Sequence, residues 1–291
     1  MAKEKTIEAF DLLLKDLMDT RVLFGRKVIV FGGDFRQTLP IVQNGKKKDF
    51  ISQTLLYSQI WNQLKKLHLS ENIRSRTDPA FSEYLMRIGN GKEKLNSNNK
   101  VEIPKSLLIP FTTEEQSLNE LFKLTYPNIN LLFHDSSALA FRVILTTKND
   151  YVHEINDMLI SKFPNTAQTF VAIDETIEPN DQSQFEDYLH TINPAYLPTY
   201  RLTLKENCPV MLLRNLNPSE GLCNGTRLTC CNFTIHVISA KIARDDFQIK
   251  HVFIPCIPLS ASADENLSVP FKRTQFPRRL CFAITINKAQ G

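Results

Sequence analysis

The stretch "KVIVFGGDFRQTLPIV", which runs from Lys27 to Val42, carries the main fold signal of the sequence. Its first half is a run of β-branched residues, typical of a short strand buried on both faces of a parallel sheet. Two glycines follow, and they predict a tight exit of the backbone from the strand. Asp34 and Gln37 come next, so the stretch predicts polar side chains at the carboxyl end of a buried strand, where α/β sheets bind ligands.

Helical and strand-like patterns alternate on both sides of this stretch. Apolar residues with helical spacing predict four helices, in 6–19, 55–64, 78–92 and 150–163. Strand-like segments alternate with them, in 27–33, 65–74, 141–150 and 168–174. We expect Asp150 to cap the helix that it precedes. The alternation indicates an α/β fold with a parallel sheet.

The pattern changes beyond Tyr200, where strand-like runs are separated by turn signals such as Asn-Gly at 224–225. This change predicts a small antiparallel β-barrel inserted into a second α/β unit, so that residues near 142–173 and 280–286 share one sheet. The preceding segment, 174–195, is rich in acidic residues and predicts an exposed loop with one short helix.

Composition restricts the classes of function. The 291 residues include 35 basic and 31 acidic ones, and a net charge of +4 indicates no partner by itself. The basic residues are clustered, however. No acid follows Glu265, whereas five basic residues do, and Lys46, Lys47 and Lys48 form a second cluster. Such clusters are either solvated faces or surfaces that contact nucleic acid.

The six cysteines form no Cys-x-x-Cys pair, and no histidine stands at metal-ligand spacing to them, so we expect no metal site. The chain does not open with a signal peptide, and no apolar run approaches the ~18 residues of a membrane span. These features predict a reducing, intracellular environment.

Three predicted strands end in polar sets, namely 32–37, 146–150 and 285–290. In the first set, the amide of Gln37 could orient an attacking water and sense a terminal phosphate. The alternative is that Asp34 caps a turn and Gln37 is merely exposed. Arg74 follows a predicted strand and could stabilise the charge of a transferred phosphate, or it could be a surface arginine.

The third set places Thr285, Asn287, Lys288 and Gln290 at the end of a buried strand. Lysine and small polar side chains there suit contacts to nucleic-acid phosphates. The alternative is a helix start capped by Asn287. The Gly-x-x-x-x-Gly-Lys-Ser/Thr loop of nucleotide sites is absent from the sequence, and "GNGKEK" at 89–94 is its nearest imitation.

Several of these stretches resemble motifs of the Pif-type, RecD-related helicases of superfamily 1B. They are "GGDFRQTLPIV", "HLSENIR", "GLCNGTRL" and "FPRRLCFAITINKAQG". The resemblance implies two RecA-like lobes of the P-loop NTPase fold that hold ATP and Mg²⁺ between them. It also implies 5′-to-3′ movement along single-stranded DNA, action on forked DNA as a monomer, and roles in DNA repair, recombination and telomere maintenance in the nucleus or, alternatively, mitochondria.

The resemblance also assigns roles to residues. Gln37 would contact the γ-phosphate with support from Asp34, and Arg74 would be an arginine finger, so these three would be catalytic. Gln290 would join Gln37 and Arg74 in binding the nucleotide. The DNA track would be lined by Thr285, Asn287, Lys288, Lys46 and Lys47. Many relatives carry histidine where this chain has Asn287, which weakens the expectation for that contact.

The implied organisation has four parts. They are the C-terminal part of the first lobe in 1–76, a helical linker in 77–105, a truncated second lobe in 106–199 and 264–291, and the inserted barrel in 200–263. Because the resemblance places the phosphate-binding lysine loop and the Mg²⁺-binding Asp-Glu upstream of such a chain, we expect an interior piece of a helicase that is inactive alone. The alternative is a non-catalytic protein that binds single-stranded DNA, or a relic of a Helitron-type transposon helicase.

Overall fold

The structure is a computed structural model. It describes residues 2–36, 42, 45–69, 73, 76–133, 138–139, 142–194, 197–243, 251–260 and 269–289, with the backbone alone at 179 and 287. The chain divides into two compact units, Met1–Leu108 and Ile109–Gly291.

The first unit is mainly helical. Its helices are α1 (Glu4–Leu17), α2 (Lys47–Ser52) and α3 (Pro79–Gly89), and short 3₁₀ turns connect them. A small core of Ile7, Phe24, Leu55 and Ile60 holds α1 to these turns. The buried carboxylate of Asp11 accepts a hydrogen bond from the backbone N–H of Phe24 at 2.6 Å, which fixes the chain where it turns back on α1.

The strands that we predicted in the first unit are absent from its described residues. Segments 27–33 and 65–69 form no ladder, and Val28, Val30 and Leu69 are 93%, 88% and 102% exposed. A buried strand needs neighbouring strands and covering helices. In the described part of this unit, the strand pairing consists of a single bridge between Leu95 and Val101. The helix predicted for 55–64 is also wrong, because two 3₁₀ turns, Leu55–Tyr57 and Trp61–Gln63, occupy it.

The second unit begins with α4 (Glu114–Thr125) and α5 (Ile129–Leu132) and then has β1 (Ile144–Thr146) followed by α6 (Asn149–Lys162). Buried Val152, Ile155 and Leu159 line the inner face of α6, as its apolar spacing predicted. The capping prediction is wrong, because Lys148 is the N-cap and Asp150 lies in the first turn. An acid in that turn still interacts favourably with the helix dipole.

The rest of this unit is mostly antiparallel. One pair joins β2 (Gln168–Val171) to β4 (Arg201–Leu204), and a three-stranded sheet orders β3 (Ile173–Thr176), β10 (Phe271–Gln275) and β9 (Ile257–Ser260). A five-stranded sheet contains, in spatial order, β11 (Arg278–Leu280), β5 (Pro209–Leu212), β6 (Arg227–Phe233), β7 (Val237–Ile242) and β8 (His251–Pro255). Among the described residues β11 and β8 are its open edges, so the closed barrel that we predicted is not found.

The last strand, β12 (Ala283–Thr285), pairs in parallel with β1. The predicted sharing of one sheet by the regions near 142–173 and 280–286 is therefore observed for these two strands. Arg278–Leu280 joins the five-stranded sheet instead, only two residues earlier in the chain.

The acidic segment 174–195 contains the predicted short helix, α7 (Gln182–Thr191). Its first acid, however, is not exposed. Asp174 lies in β3, directly opposite Arg273 of β10, and both side chains are buried. A charge pair between residues 99 positions apart cannot be inferred from local pattern, which is why the sequence indicated an exposed loop.

Candidate nucleic-acid interface

Two of the three predicted polar strand ends meet in the second unit. β1 and β12 run parallel in a register that places Thr146 opposite Thr285. Since both strands point the same way, the residues after Thr146 and after Thr285 leave the sheet at the same edge. The third predicted set, 32–37, belongs to the first unit.

Asn156 of α6 fixes the strand that carries this edge. Its amide nitrogen donates to the carbonyls of Ala283 at 3.0 Å and Leu280 at 3.3 Å, and its amide oxygen accepts from the N–H of Ala283 at 2.9 Å. The buried hydroxyl of Tyr126 donates to the carbonyl of Phe282, the residue before Ala283, at 2.7 Å. Burial raises the pKa of this phenol, so it stays a donor.

We did not single out Asn156 from the sequence. A signal was present, because Asn156 is a polar residue within the apolar stripe of α6, between Ile155 and Leu159. Buried amides are retained where they are fully hydrogen-bonded. A polar residue in such a stripe therefore indicates a backbone partner across the interface.

Thr146 shapes the connection from β1 to α6. Its hydroxyl accepts from the N–H of Lys148 at 3.1 Å and donates to the carbonyl of Lys148 at 2.9 Å. The helix then begins without a side-chain cap. Its first backbone N–H groups and the positive end of its dipole therefore lie just beyond Thr146, which favours an anion at this edge.

The charges of two arginines act on Lys288, and we call Arg214, Arg279 and Lys288 the basic strand-end cluster. Lys288 follows β12 and is half-buried. Burial lowers the pKa of its ammonium group, and the charges of Arg279 and Arg214 lower it further. Like charges held together in a partly buried site favour the binding of an anion, because the anion relieves their repulsion.

The surroundings of the cluster include one histidine and two acids. Burial and the charge of Arg279 lower the pKa of His153, while Asp157 and Asp150 act in the opposite direction. Neither Arg214, Arg279 nor His153 was among our predicted site residues. Arg278 and Arg279 stood out only as part of a basic run, and Arg214 lies in a turn 65 residues earlier.

In the first unit, Asp34 forms a local turn. Its carboxylate accepts from the N–H of Arg36 at 2.9 Å, and the guanidinium of Arg36 donates to Asn90 at 3.1 Å. This is the turn-capping alternative that we left open. The glycines before it, Gly32 and Gly33, have negative φ and open space around them, so neither position requires glycine in this structure.

The remaining predicted residues are placed only in part. Gln37, Arg74 and Gln290 lie outside the described residues, as does the side chain of Asn287. Lys46 and Lys47 are exposed at the start of α2, where the N–H of Lys46 donates to Asp49 at 2.7 Å.

The described residues contain no cluster of histidine, cysteine and acidic side chains that could hold a metal ion. Within the same part of the chain, none of the helices has the length and apolarity needed to span a bilayer.

Comparison with known proteins supports the resemblance seen in the motifs. The family model described as PIF1-like helicase matches residues 1–99, and the model for the 2B domain of DNA helicase Pif1 matches residues 187–233. These matches support a fragment of a Pif1-type helicase. The second match spans the change of pattern near Tyr200 and includes β4, β5 and β6.

The ATP-dependent DNA helicase PIF1 of Xenopus laevis is 24% identical over 271 residues, which are 92% of this chain and 36% of the relative. A Bacteroides Pif1 bound to single-stranded DNA has a TM-score of 0.59 and 20% identity, with coverage of all of this chain and 60% of the other. A second Pif1 structure, described for DNA unwinding at forked duplex DNA by two coordinating helicases, has a TM-score of 0.60 and 20% identity. The match covers 100% of this chain and 58% of the other. The chain thus shares the mixed α/β fold of Pif1 helicases and spans about a third of its curated relative.

Proposed function

We propose that this chain supplies part of an ATP-dependent 5′-to-3′ DNA helicase and that its second unit holds single-stranded DNA by the phosphate backbone. The observation that supports this most is the parallel pairing of β1 and β12, which places Thr285 opposite Thr146, beside the N-terminus of α6, with Lys288 three residues further along the chain. The names of its relatives supply the helicase activity, and the geometry supplies the anion-binding edge.

The chemistry of this edge suits backbone contacts rather than base recognition. A hydroxyl, an ammonium group and guanidinium groups bind phosphate oxygens without reading sequence, which is what a protein that moves along DNA requires. Lys288, Thr285 and Asn287 would contact the strand, and Lys46 and Lys47 would add contacts from the first unit. We expect single-stranded and forked DNA as ligands, a monomer as the working form, and the nucleus as the location, with the mitochondrion as the alternative.

A nucleotide does not fit the described residues by themselves. The sequence has no phosphate-binding lysine loop, and the Asp34 carboxylate is engaged by Arg36. We derive no nucleotide-dependent step from this chain. For an enzyme that holds the loop and Mg²⁺, we retain Gln37, Arg74 and Gln290 as nucleotide contacts, with Gln37 and Arg74 acting on the terminal phosphate.

The second candidate function is non-catalytic binding of single-stranded DNA. The missing phosphate loop favours it for a protein made of these 291 residues alone. Measurement of DNA-stimulated ATP hydrolysis separates the two. Turnover that is lost in Gln37→Ala would establish the enzyme, and background turnover together with DNA binding would establish the second function.

The DNA-binding edge is tested by the salt dependence of binding to a fluorescent oligothymidylate, followed by anisotropy. Each phosphate contact to a single strand contributes about 0.7 to the slope of log affinity against log salt. We expect Lys288→Ala to weaken binding and to reduce the slope by about that amount. The exposed Lys272 of β10 provides the control, and Lys272→Ala should leave both unchanged.

Equal effects of the two substitutions would show that binding depends on net charge alone. Binding that does not change with salt would remove the proposed backbone contacts altogether.

A further inference from the structure

Arg278 is a buried arginine without a carboxylate partner among the described residues. Its side chain has no exposed surface, and it packs against the ring of Phe276 at 5.4 Å from the ring centroid. One guanidinium nitrogen donates to the sulfur of Cys230 at 3.5 Å, whereas Nε and Nη2 have no hydrogen-bond partner within the described ranges. An ionised group in such surroundings requires a counter-charge, because isolated buried charges are very costly.

Cys230 is not alone beside this arginine. It lies across the strands from Cys208, and the N–H of Cys230 donates to the carbonyl of Cys208 at 3.1 Å. Both thiols are completely buried, and each influences the pKa of the other. Two cysteines and one arginine therefore share a site at the inner face of the five-stranded sheet.

The arrangement separates the two thiols chemically. Burial raises the pKa of the Cys230 thiol, but the hydrogen bond from Cys208 and the charge of Arg278 outweigh burial, so the net shift is downward. For Cys208, burial and the adjacent Cys230 raise the pKa. The pair thus combines a thiol with a lowered pKa, Cys230, and a thiol with a raised pKa, Cys208, which suits the roles of nucleophile and resolving group found in oxidisable pairs.

We propose that Cys208 and Cys230 form an oxidative modification site whose reactant is a small hydroperoxide such as hydrogen peroxide. The Cys230 thiolate attacks one peroxide oxygen, so that an S–O bond forms, the O–O bond breaks and hydroxide leaves. The Cys208 sulfur then attacks the sulfenic acid, an S–S bond forms, and the S–O oxygen leaves as water with the Cys208 proton. One peroxide is reduced, and the two thiols are oxidised to a disulfide.

The two residues meet at the end of the ladder between β5 and β6, directly beyond the register pair Pro209–Thr229, where the N–H of Cys230 bonds the carbonyl of Cys208 at 3.1 Å. Opposed residues in an antiparallel pair have Cα atoms about 4.5–5.5 Å apart, which lies within the roughly 4.4–6.8 Å of disulfides. Arg278 belongs to a three-residue edge strand, β11, so local opening of that edge admits a molecule little larger than water. All six cysteines are free thiols in the structure, including Cys231, which is half-buried next to the site.

The test treats the whole chain with hydrogen peroxide, blocks remaining thiols, and quantifies the Cys208–Cys230 linked peptide by mass spectrometry over time. We expect this link to be the main disulfide product in wild type, to be absent in Cys208→Ser, and to form at an unchanged rate in Cys231→Ser. Links that run mainly to Cys231, or no disulfide at all, would overturn the proposal.

Arg278→Met tests the role of the charge. Each unit by which the pKa of Cys230 rises lowers the thiolate fraction about tenfold at a pH below it, and we expect disulfide formation at pH 7 to slow by the same factor. An unchanged rate in a folded variant contradicts the assignment. If the variant does not fold, the pH profile of wild type decides. A reaction whose midpoint lies below the ordinary cysteine value of about 8.5 supports the proposal, and a midpoint above it overturns the proposal.

Discussion

Arg273 and Arg278 lie five residues apart in the chain and are both completely buried, but their surroundings differ in almost every respect. Arg273 makes two hydrogen bonds to Asp174, at 2.7 and 2.8 Å, and its remaining donors bind the carbonyls of Leu189, Ile192 and Pro198. All five N–H donors of this guanidinium have partners. The guanidinium of Arg278, by contrast, contacts the sulfur of Cys230 and the ring of Phe276.

The difference teaches how a protein interior accommodates a cation. Around Arg273 the fold replaces water with a bidentate carboxylate and three carbonyls, so the pair closes the three-stranded sheet onto α7 and the segment after it. Around Arg278 no such shell is present in the described residues, and the nearest group able to carry negative charge is the thiolate of Cys230. The first arginine is structural, and the second keeps a reactive group in its ionised form.

The largest effect is expected from Asp174→Asn, which leaves Arg273 as an uncompensated buried charge. Removing one partner of a buried pair typically costs about 3–5 kcal/mol of the free energy of unfolding. Urea denaturation followed by circular dichroism measures it. Glu175→Gln is the matched control, because Glu175 is exposed on the same strand, and it should change the value by less than about 0.5 kcal/mol. A loss no larger than that of the control would mean that the pair contributes nothing.

We expect Arg278→Met to change the free energy of unfolding in the opposite direction from Asp174→Asn. Replacing a poorly satisfied buried ion with an apolar side chain of similar length is often neutral, or stabilising by about 1–4 kcal/mol. We expect the free energy of unfolding to stay the same or rise, measured under reducing conditions at neutral pH. Arg273→Met in the same assay should destabilise the protein, because it strands Asp174. Destabilisation of similar size in both variants would remove the contrast between the two arginines.

The smallest effect on stability is expected for His153. This half-buried histidine extends the comparison to a titratable group near Arg279. Its pKa is lowered in the folded protein, so the folded state binds fewer protons than the unfolded state as the pH falls below about 6.5. The contribution of His153 to stability therefore decreases as the pH falls through that range. In His153→Gln this decrease should be absent, so denaturation midpoints of wild type and variant should diverge between about pH 7 and pH 5. Parallel curves would show that His153 does not titrate differently on folding.

Local pattern predicted the elements whose stability is local. The apolar spacing in 150–163 predicted α6, which spans Asn149–Lys162, and the spacing in 78–92 predicted α3, which ends at Gly89. The same reasoning failed for 27–33, because burial of a β-branched run depends on neighbouring strands that the run does not encode. It also failed for the barrel, since closure depends on strand tilt and register rather than on alternation of side chains.

The candidate site likewise has some features that local pattern predicted and others that depend on distant contacts. Proximity of the polar sets after Thr146 and Thr285 followed from the rule for parallel strands. The participation of Arg214 and the pairing of Asp174 with Arg273 depend on contacts between distant positions, and a single sequence contains no direct sign of those contacts.

The short interval between β11 and β12 has a mechanical consequence. Only Cys281 and Phe282 separate a strand of the five-stranded sheet from the strand that carries Thr285, and the carbonyl of Phe282 is held by Tyr126. No slack is available there to absorb a displacement. A displacement of Thr285 would therefore reach the ladder between β11 and β5 through these two residues.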